Sequence, residues 1–208
     1  MIAVIDYGVG NLFSLRSSLR RLGLDAAVTA DPARIRAADR IILPGVGAFG
    51  DAMDKLRAAG LVPVLRQEAA QKPLLGICLG MQLLFDRSFE YGEHPGLGLV
   101  PGQVCPLAPD LTDPSLKVPQ IGWNALHILR DDPLFRYIRE GEHVYYVHSY
   151  YAKDCAPSTL AVSEYSIPVT GVVRAGRVYG AQFHPERAAT PACASCGPLP
   201  SFEPAPAA

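Results

Sequence analysis

The sequence predicts an α/β fold: a mostly parallel central sheet with helices on both faces and an antiparallel extension. Three observations predict it. Through the first half, short apolar runs of the buried-strand type alternate with amphipathic stretches of helical length. These runs meet glycine-bearing turns at Tyr7-Gly-Val-Gly10, Pro44-Gly-Val-Gly47 and Gly76-Ile-Cys-Leu-Gly80. The second half is richer in short strand-like runs, which suit antiparallel pairing.

The elements follow in order. Residues 2–6, Ile-Ala-Val-Ile-Asp, form a buried parallel strand. Asn11 then caps a helix with Leu12, Leu15, Leu19 and Leu22 on one face, closed by Gly23. Asp31-Pro32 is a second helix start, an N-cap followed by proline at the first helical position. Residues 40–43, Arg-Ile-Ile-Leu, are another buried strand. A helix is expected over 48–59 with its stop at Gly60, and 61–71 reads as helical in part. Residues 72–78 return to strand, and 80–87 read as a helix. Later strands are expected at 97–104, 144–148, 160–164, 169–175 and 178–183.

The 208 residues are enough for one large domain with a substantial core. A net charge of −1 excludes a strongly basic nucleic-acid binder and an acidic disordered tail protein. With 49% apolar and 19% charged residues, the composition is globular. No apolar run approaches the roughly 18–20 residues of a membrane span. The start reaches Asp6 too soon for a secretory signal, so a cytoplasmic protein without membrane association is expected. The cysteines, Cys78, Cys105, Cys155, Cys193 and Cys196, are odd in number and scattered, unlike a disulfide framework.

Gly76-Ile-Cys-Leu-Gly80 has the form of a nucleophile elbow with sulfur in place of oxygen. Its small residues allow a sharp turn that projects Cys78 at the carboxyl end of a strand, and a following helix aims its N–H groups at the sulfur. Alone, the pattern fits a buried structural cysteine as well. A thiol nucleophile needs a base, and His184 in Phe183-His-Pro-Glu186 is the sharpest of the five histidines. Pro185 holds His184 extended, so Glu186 at i+2 shares its side and can orient the imidazole. Alone, His-Pro-Glu would read as a surface turn. The backbone N–H of Leu79 is one oxyanion donor by elbow geometry. Pro44-Gly-Val-Gly47 could turn a second N–H into the site, though an ordinary strand-to-helix turn reads the same way.

Gly76-Ile-Cys-Leu-Gly-Met-Gln82 with Phe183-His-Pro-Glu186 resembles the class I, triad-type glutamine amidotransferases. Asp6-Tyr-Gly-Val-Gly-Asn11, Leu43-Pro-Gly-Val-Gly-Ala-Phe49, Pro119-Gln-Ile-Gly-Trp-Asn124 and Tyr145-Tyr-Val-His-Ser-Tyr150 narrow the resemblance to the glutaminase subunits of imidazole glycerol phosphate synthase, from histidine biosynthesis. The match runs from residue 1 to about residue 187. Val46 and Met81 stand where relatives from tryptophan and guanine nucleotide synthesis typically carry proline and histidine.

The resemblance implies a three-layer, flavodoxin-like amidotransferase fold with no cofactor and no metal. It implies that Cys78 attacks the glutamine amide, His184 moves the proton, Glu186 holds His184, and a glutamyl thioester is hydrolysed to glutamate. Leu79, Val46 and Gly47 would line the oxyanion hole. Gln82, His148, Ser149 and Tyr150 would contact glutamine, with a core histidine the alternative for His148. Asn11, Trp123, Tyr145 and Arg187 would lie near a partner interface. That partner is expected to be a separate (β/α)₈-barrel cyclase forming a heterodimer, since a barrel typically needs about 250 residues of its own. It would turn the ammonia into imidazole glycerol phosphate and an aminoimidazole carboxamide ribonucleotide.

The amidotransferase domain is expected over residues 1–187. Residues 188–208 hold seven Ala and five Pro among 21 and read as an irregular tail. The family usually continues after His-Pro-Glu into a terminal helix, which this chain lacks as a sequence pattern. Cys193-Ala-Ser-Cys196 is at most half a zinc site, and Cys105 and Cys155 read as inert thiols. Competing readings are a subunit of another class I amidotransferase, an inactive binding subunit, and a redox-sensing cysteine protein. The last would not need His-Pro-Glu at the end of a strand.

Overall fold

The computed structural model describes residues 1–187; the expected tail 188–208, with Cys193 and Cys196, lies outside them. The first half alternates as the sequence indicates. In order come β1 (Ile2–Ile5), α1 (Leu12–Arg21), β2 (Ala26–Thr29), α2 (Pro32–Ala37), β3 (Arg40–Leu43), α3 (Phe49–Ala58), α4 (Leu61–Ala69) and β4 (Leu74–Ile77). After the one-turn α5 (Leu79–Gln82) the chain is almost all strand. There follow β5 (Phe85–Ser88), β6 (His94–Pro95), β7 (Val100–Pro106), β8 (Gln120–Ala125), β9 (His127–Ile128), β10 (His143–His148), β11 (Tyr150–Lys153), β12 (Thr159–Glu164), β13 (Pro168–Ala175) and β14 (Val178–Ala181).

The central sheet has the order β2-β1-β3-β4-β14-β13-β12-β9. Its β2-β1-β3-β4-β14 portion is parallel. β13, β12 and β9 continue it antiparallel. A four-stranded sheet, β11-β7-β5-β6, and a two-stranded ribbon, β10-β8, complete the described fold.

Alternation along the strands divides the core. Ala3 and Ile5 of β1 face Ile35, Phe49, Met53, Leu56, Leu61 and Leu65 from α2, α3 and α4. Ile2 and Val4 face Leu15 and Leu19 of α1 on the other side. Each large side chain buried this way contributes roughly 1.5–3 kcal/mol. Gly23 and Gly60, both at positive φ, stop α1 and α3 at the expected places.

The helix expected over 80–87 ends at Gln82. Leu83, Leu84 and Phe85 are each fully buried, and three consecutive buried residues do not fit one face of a helix. The chain instead enters β5, which pairs with β7 in the second sheet.

Candidate active site

Cys78 is the first residue beyond β4, and it sits at φ 54, ψ −114, a conformation that side-chain-bearing residues rarely adopt. Glycine on either side makes the turn possible. A Cβ on Gly76 would lie 2.5 Å from the Gly80 carbonyl oxygen, and one on Gly80 would lie 1.8 Å from that of Leu43. The Met81 and Gln82 N–H groups donate to the Cys78 carbonyl at 3.0 and 3.2 Å. Since α5 is a single turn, its dipole contributes less to the sulfur than a long helix would.

His184 follows the neighbouring strand. β14 pairs with β4 in parallel register, Ala181 beside Ile77, and the Cys78 N–H donates to the Ala181 carbonyl at 2.8 Å. Gln182 and Phe183 then lead to His184, whose N–H donates to the Tyr145 carbonyl at 3.0 Å. Pro185–Arg187 form a 3₁₀ turn rather than the extended segment expected from Pro185. The turn is closed by the Arg187 N–H on the His184 carbonyl at 3.0 Å. It still brings Glu186 back to the ring, with Nδ1 of His184 2.8 Å from Glu186 Oε1.

The imidazole also lies close enough to Cys78 for the sulfur to act on its proton. Burial alone would lower its pKa, but the hydrogen bonds and negative charges of Cys78 and Glu186 outweigh it and raise it to about 9. The arrangement favours an imidazolium at neutral pH, set beside the Cys78 sulfur. Glu186 is anchored from behind, where the Ser18 hydroxyl of α1 donates to its carbonyl at 3.5 Å.

The turn after β3 lies against the elbow. A Cβ on Gly45 would meet the Gly80 nitrogen and the Tyr7 hydroxyl oxygen, each at 2.8 Å. The Tyr7 hydroxyl donates to the Pro44 carbonyl at 2.8 Å. Burial, and then the charge of Cys78, raise the Tyr7 pKa. Val46 is 42% exposed, and Gly47 has a φ of 96 with nothing within 4 Å of an added Cβ. Asn11, Pro44, Gly45, Val46, His184 and Glu186 share the lining of one small cavity, so this turn borders the His184–Glu186 pair.

Gln82 is buried below Cys78, its Nε2 donating to the Tyr150 carbonyl at 2.9 Å and to Gln182 Oε1 at 3.0 Å. His148 Nδ1 bonds the same Tyr150 carbonyl at 2.9 Å. Burial pushes the His148 pKa down to about 4, which makes it a neutral ring and not a second base. The Ser149 carbonyl is taken by the Leu107 N–H at 2.9 Å.

Sequence reasoning missed Glu90, in the loop after β5. Its carboxylate is buried and accepts the Phe49 N–H at 2.6 Å, and the Tyr150 pKa is raised by burial first and then by the charge of Glu90. A buried anion beside Tyr150 suits a cationic amine. Phe89-Glu-Tyr-Gly92 reads as an ordinary loop, so only the fold reveals it.

The four residues expected at an interface do not all behave alike. Trp123 of β8 and Tyr145 of β10 pack edge to face at 5.5 Å, and the Arg187 guanidinium lies 4.9 Å from the Tyr145 ring. Trp123 is 43% exposed and Ile121, on the same side of the ribbon, 62%. The Asn11 side chain is engaged in capping α1, accepting the Ser14 N–H at 3.3 Å. Away from the site, Cys155 is buried against Thr159 and Thr170. Burial raises the Cys105 pKa, as suits an unreactive thiol.

Comparison with known proteins agrees with this geometry. The glutamine amidotransferase class-I family matches residues 3–196. The chain is 50% identical to imidazole glycerol phosphate synthase subunit HisH of Lacticaseibacillus casei, over 90% of this chain and 88% of that protein. It is 50% identical to the HisH of Bacillus cereus over the same shares, and 46% identical to that of Syntrophotalea carbinolica over 90% and 93%. Among solved structures, a glutamine amidotransferase superposes with a TM-score of 0.69 at 20% identity, covering 89% of this chain and 91% of that one. PurLQS from Thermotoga maritima also gives 0.69, at 21% identity over 95% and 93%. These two likenesses are of fold.

Proposed function

Since the chain belongs to the class I glutamine amidotransferases, and within them to the HisH subunits of imidazole glycerol phosphate synthase, we propose that Cys78, His184 and Glu186 are its catalytic triad. The protein is a glutaminase that supplies ammonia for histidine biosynthesis. The observation that carries the triad is His184, bonded to Glu186 at 2.8 Å and set beside Cys78 just beyond the ends of two adjacent parallel strands.

The thiolate of Cys78 adds to the side-chain carbonyl carbon of glutamine. The oxyanion is held by the Leu79 N–H and by the Val46–Gly47 segment. The His184 imidazolium gives its proton to the departing amine, the carbon–nitrogen bond breaks, and ammonia leaves a glutamyl thioester. His184, now neutral, takes a proton from water, which attacks the thioester and releases glutamate and the thiolate. Glu186 balances the imidazolium at each stage. Gln82, His148, Ser149 and Tyr150 form the substrate side, with Glu90 facing the α-ammonium group.

The ammonia receiver is a separate (β/α)₈-barrel cyclase chain, which docks over Trp123, Tyr145 and Arg187 with Asn11 at the margin. Residues 1–187 form the amidotransferase domain, and Cys78, His184 and Glu186 all lie within them. No helix among the described residues is long and apolar enough to cross a membrane.

The test is glutamate release by the purified chain, alone and with a cyclase subunit and its nucleotide substrate. Strong activation by the partner is expected. Cys78→Ala should lower it at least about 10⁴-fold, since removal of one triad member costs nearly the whole chemical step. A folded sample inactive under both conditions would overturn the reading.

A further inference from the structure

Gln182 is fully buried two residues before the base, yet the triad chemistry does not use it. Its side chain lies between Gln82 and Cys78. The geometry fixes the direction of both amides. The Tyr150 carbonyl can only accept, and it takes Gln82 Nε2 at 2.9 Å. The second hydrogen of that nitrogen goes to Gln182 Oε1 at 3.0 Å. Gln82 Nε2 is therefore fully used, and its remaining polar atom is an acceptor. Gln182 Oε1 is engaged in turn, so its Nε2 is the end that faces Cys78 Sγ, at 3.9 Å. Turning Gln182 over would set nitrogen against nitrogen and an oxygen against the sulfur, and turning Gln82 over would set its oxygen against those of Tyr150 and Gln182, all unfavourable in a buried site. His148 Nδ1 shares the Tyr150 carbonyl and steadies the fixed end of the chain.

We propose that Gln182 is a positioning residue that ties glutamine recognition to the state of the nucleophile. It locks Gln82 with an acceptor free for the N–H groups of the substrate, and it holds an N–H against the Cys78 sulfur. The proposal rests on the glutaminase reading and deepens it. It assigns Gln182 one effect on KM, through Gln82, and a separate effect on the thiolate.

Two variants separate these effects. Gln182→Glu keeps an acceptor toward Gln82 but puts oxygen where the N–H met the sulfur. Gln182→Met keeps the shape and loses both. Two readouts apply: iodoacetamide alkylation of the Cys78 peptide against pH, by mass spectrometry, and glutamate release in the complex with the cyclase subunit at varied glutamine.

For Gln182→Glu, the alkylation midpoint should rise by at least about one pH unit and kcat should fall at least about tenfold, with KM within about threefold of wild type. For Gln182→Met, KM should also rise at least about tenfold. A fold-preserving Gln182→Met variant with an unmoved alkylation midpoint and unmoved KM would overturn the proposal, even if Gln182→Glu failed to fold. Alkylation needs no turnover. A wild-type protein that released no glutamate would thus count against the glutaminase reading, while the midpoint still tested the Gln182 contact.

Discussion

The elbow at residues 76–80 and the tip of the neighbouring turn, Val46–Gly47, are held in opposite ways, although Gly45 at the base of that turn is packed as tightly as the glycines of the elbow. In the elbow, Gly76 and Gly80 have no room for a single added carbon, and Cys78 is kept at a positive φ by everything around it. In the turn, Gly47 has open space on its Cβ side, Val46 stands 42% exposed, and the Tyr7 hydroxyl on the Pro44 carbonyl is the side-chain anchor. The proposed nucleophile is over-determined, and the proposed oxyanion segment, Val46–Gly47, has open space around it.

The contrast predicts effects in descending order. Gly80→Ala should be the most severe, costing more than about 4 kcal/mol and giving little folded protein, because backbone must move to admit the methyl group. Recovery of soluble protein and its thermal melt check this. A well-folded Gly80→Ala protein would break the comparison at its rigid end.

Glu186→Gln should leave the elbow intact and lower glutamate release by about 10²–10⁴-fold through loss of the imidazolium's counter-charge. Its pH signature is specific. The His184 pKa is raised from the ordinary 6.5 to about 9, so stability drawn from its charge is fully present below pH 6.5 and lost as the pH rises through about 9. Wild-type melting should decline over that window, and the decline should flatten in Glu186→Gln.

Tyr7→Phe removes the anchor of the turn and leaves the Pro44 carbonyl unpaired, at a cost of about 1–3 kcal/mol. Thermal melts should show that loss. The ratio of partner-stimulated to basal glutamate release should change while the Cys78 alkylation rate stays within about twofold. An equal change in both would mean that elbow and turn are not separately held.

Gly47→Ala should be mildest. No neighbour blocks the methyl group, and only the φ of 96 opposes it, at about 1 kcal/mol. A loss as large as that of Gly80→Ala would erase the distinction.

What the sequence made legible follows from how local each feature is. Cys78, His184 and Glu186 sit in short motifs whose glycines and proline constrain the backbone, and the structure brings the three side chains together. The parallel half was legible through its alternating runs. β2 was not, because Ala26, Ala27 and Val28 are only half-buried and make no apolar run like those of the other parallel strands. The expected helix at 80–87 failed because a run of apolar residues carries no period when both sheets claim it. Gln182 was invisible for another reason. It and Gln82 are 100 residues apart, and only strand pairing makes them neighbours. Glu90 likewise gains its meaning from Phe49 and Tyr150.

Placing Cys78 and His184 just beyond the ends of paired strands has a consequence for how the gene can change. Strand geometry is digital. One residue inserted into β14 would turn His184 to the opposite face of the sheet, and two would restore the face but carry the ring about 7 Å along it. Neither is repaired by small adjustments of side chains. Length variation is therefore confined to the connections, such as the long segment between β7 and β8, while β4 and β14 can accept substitution but not a change in residue count.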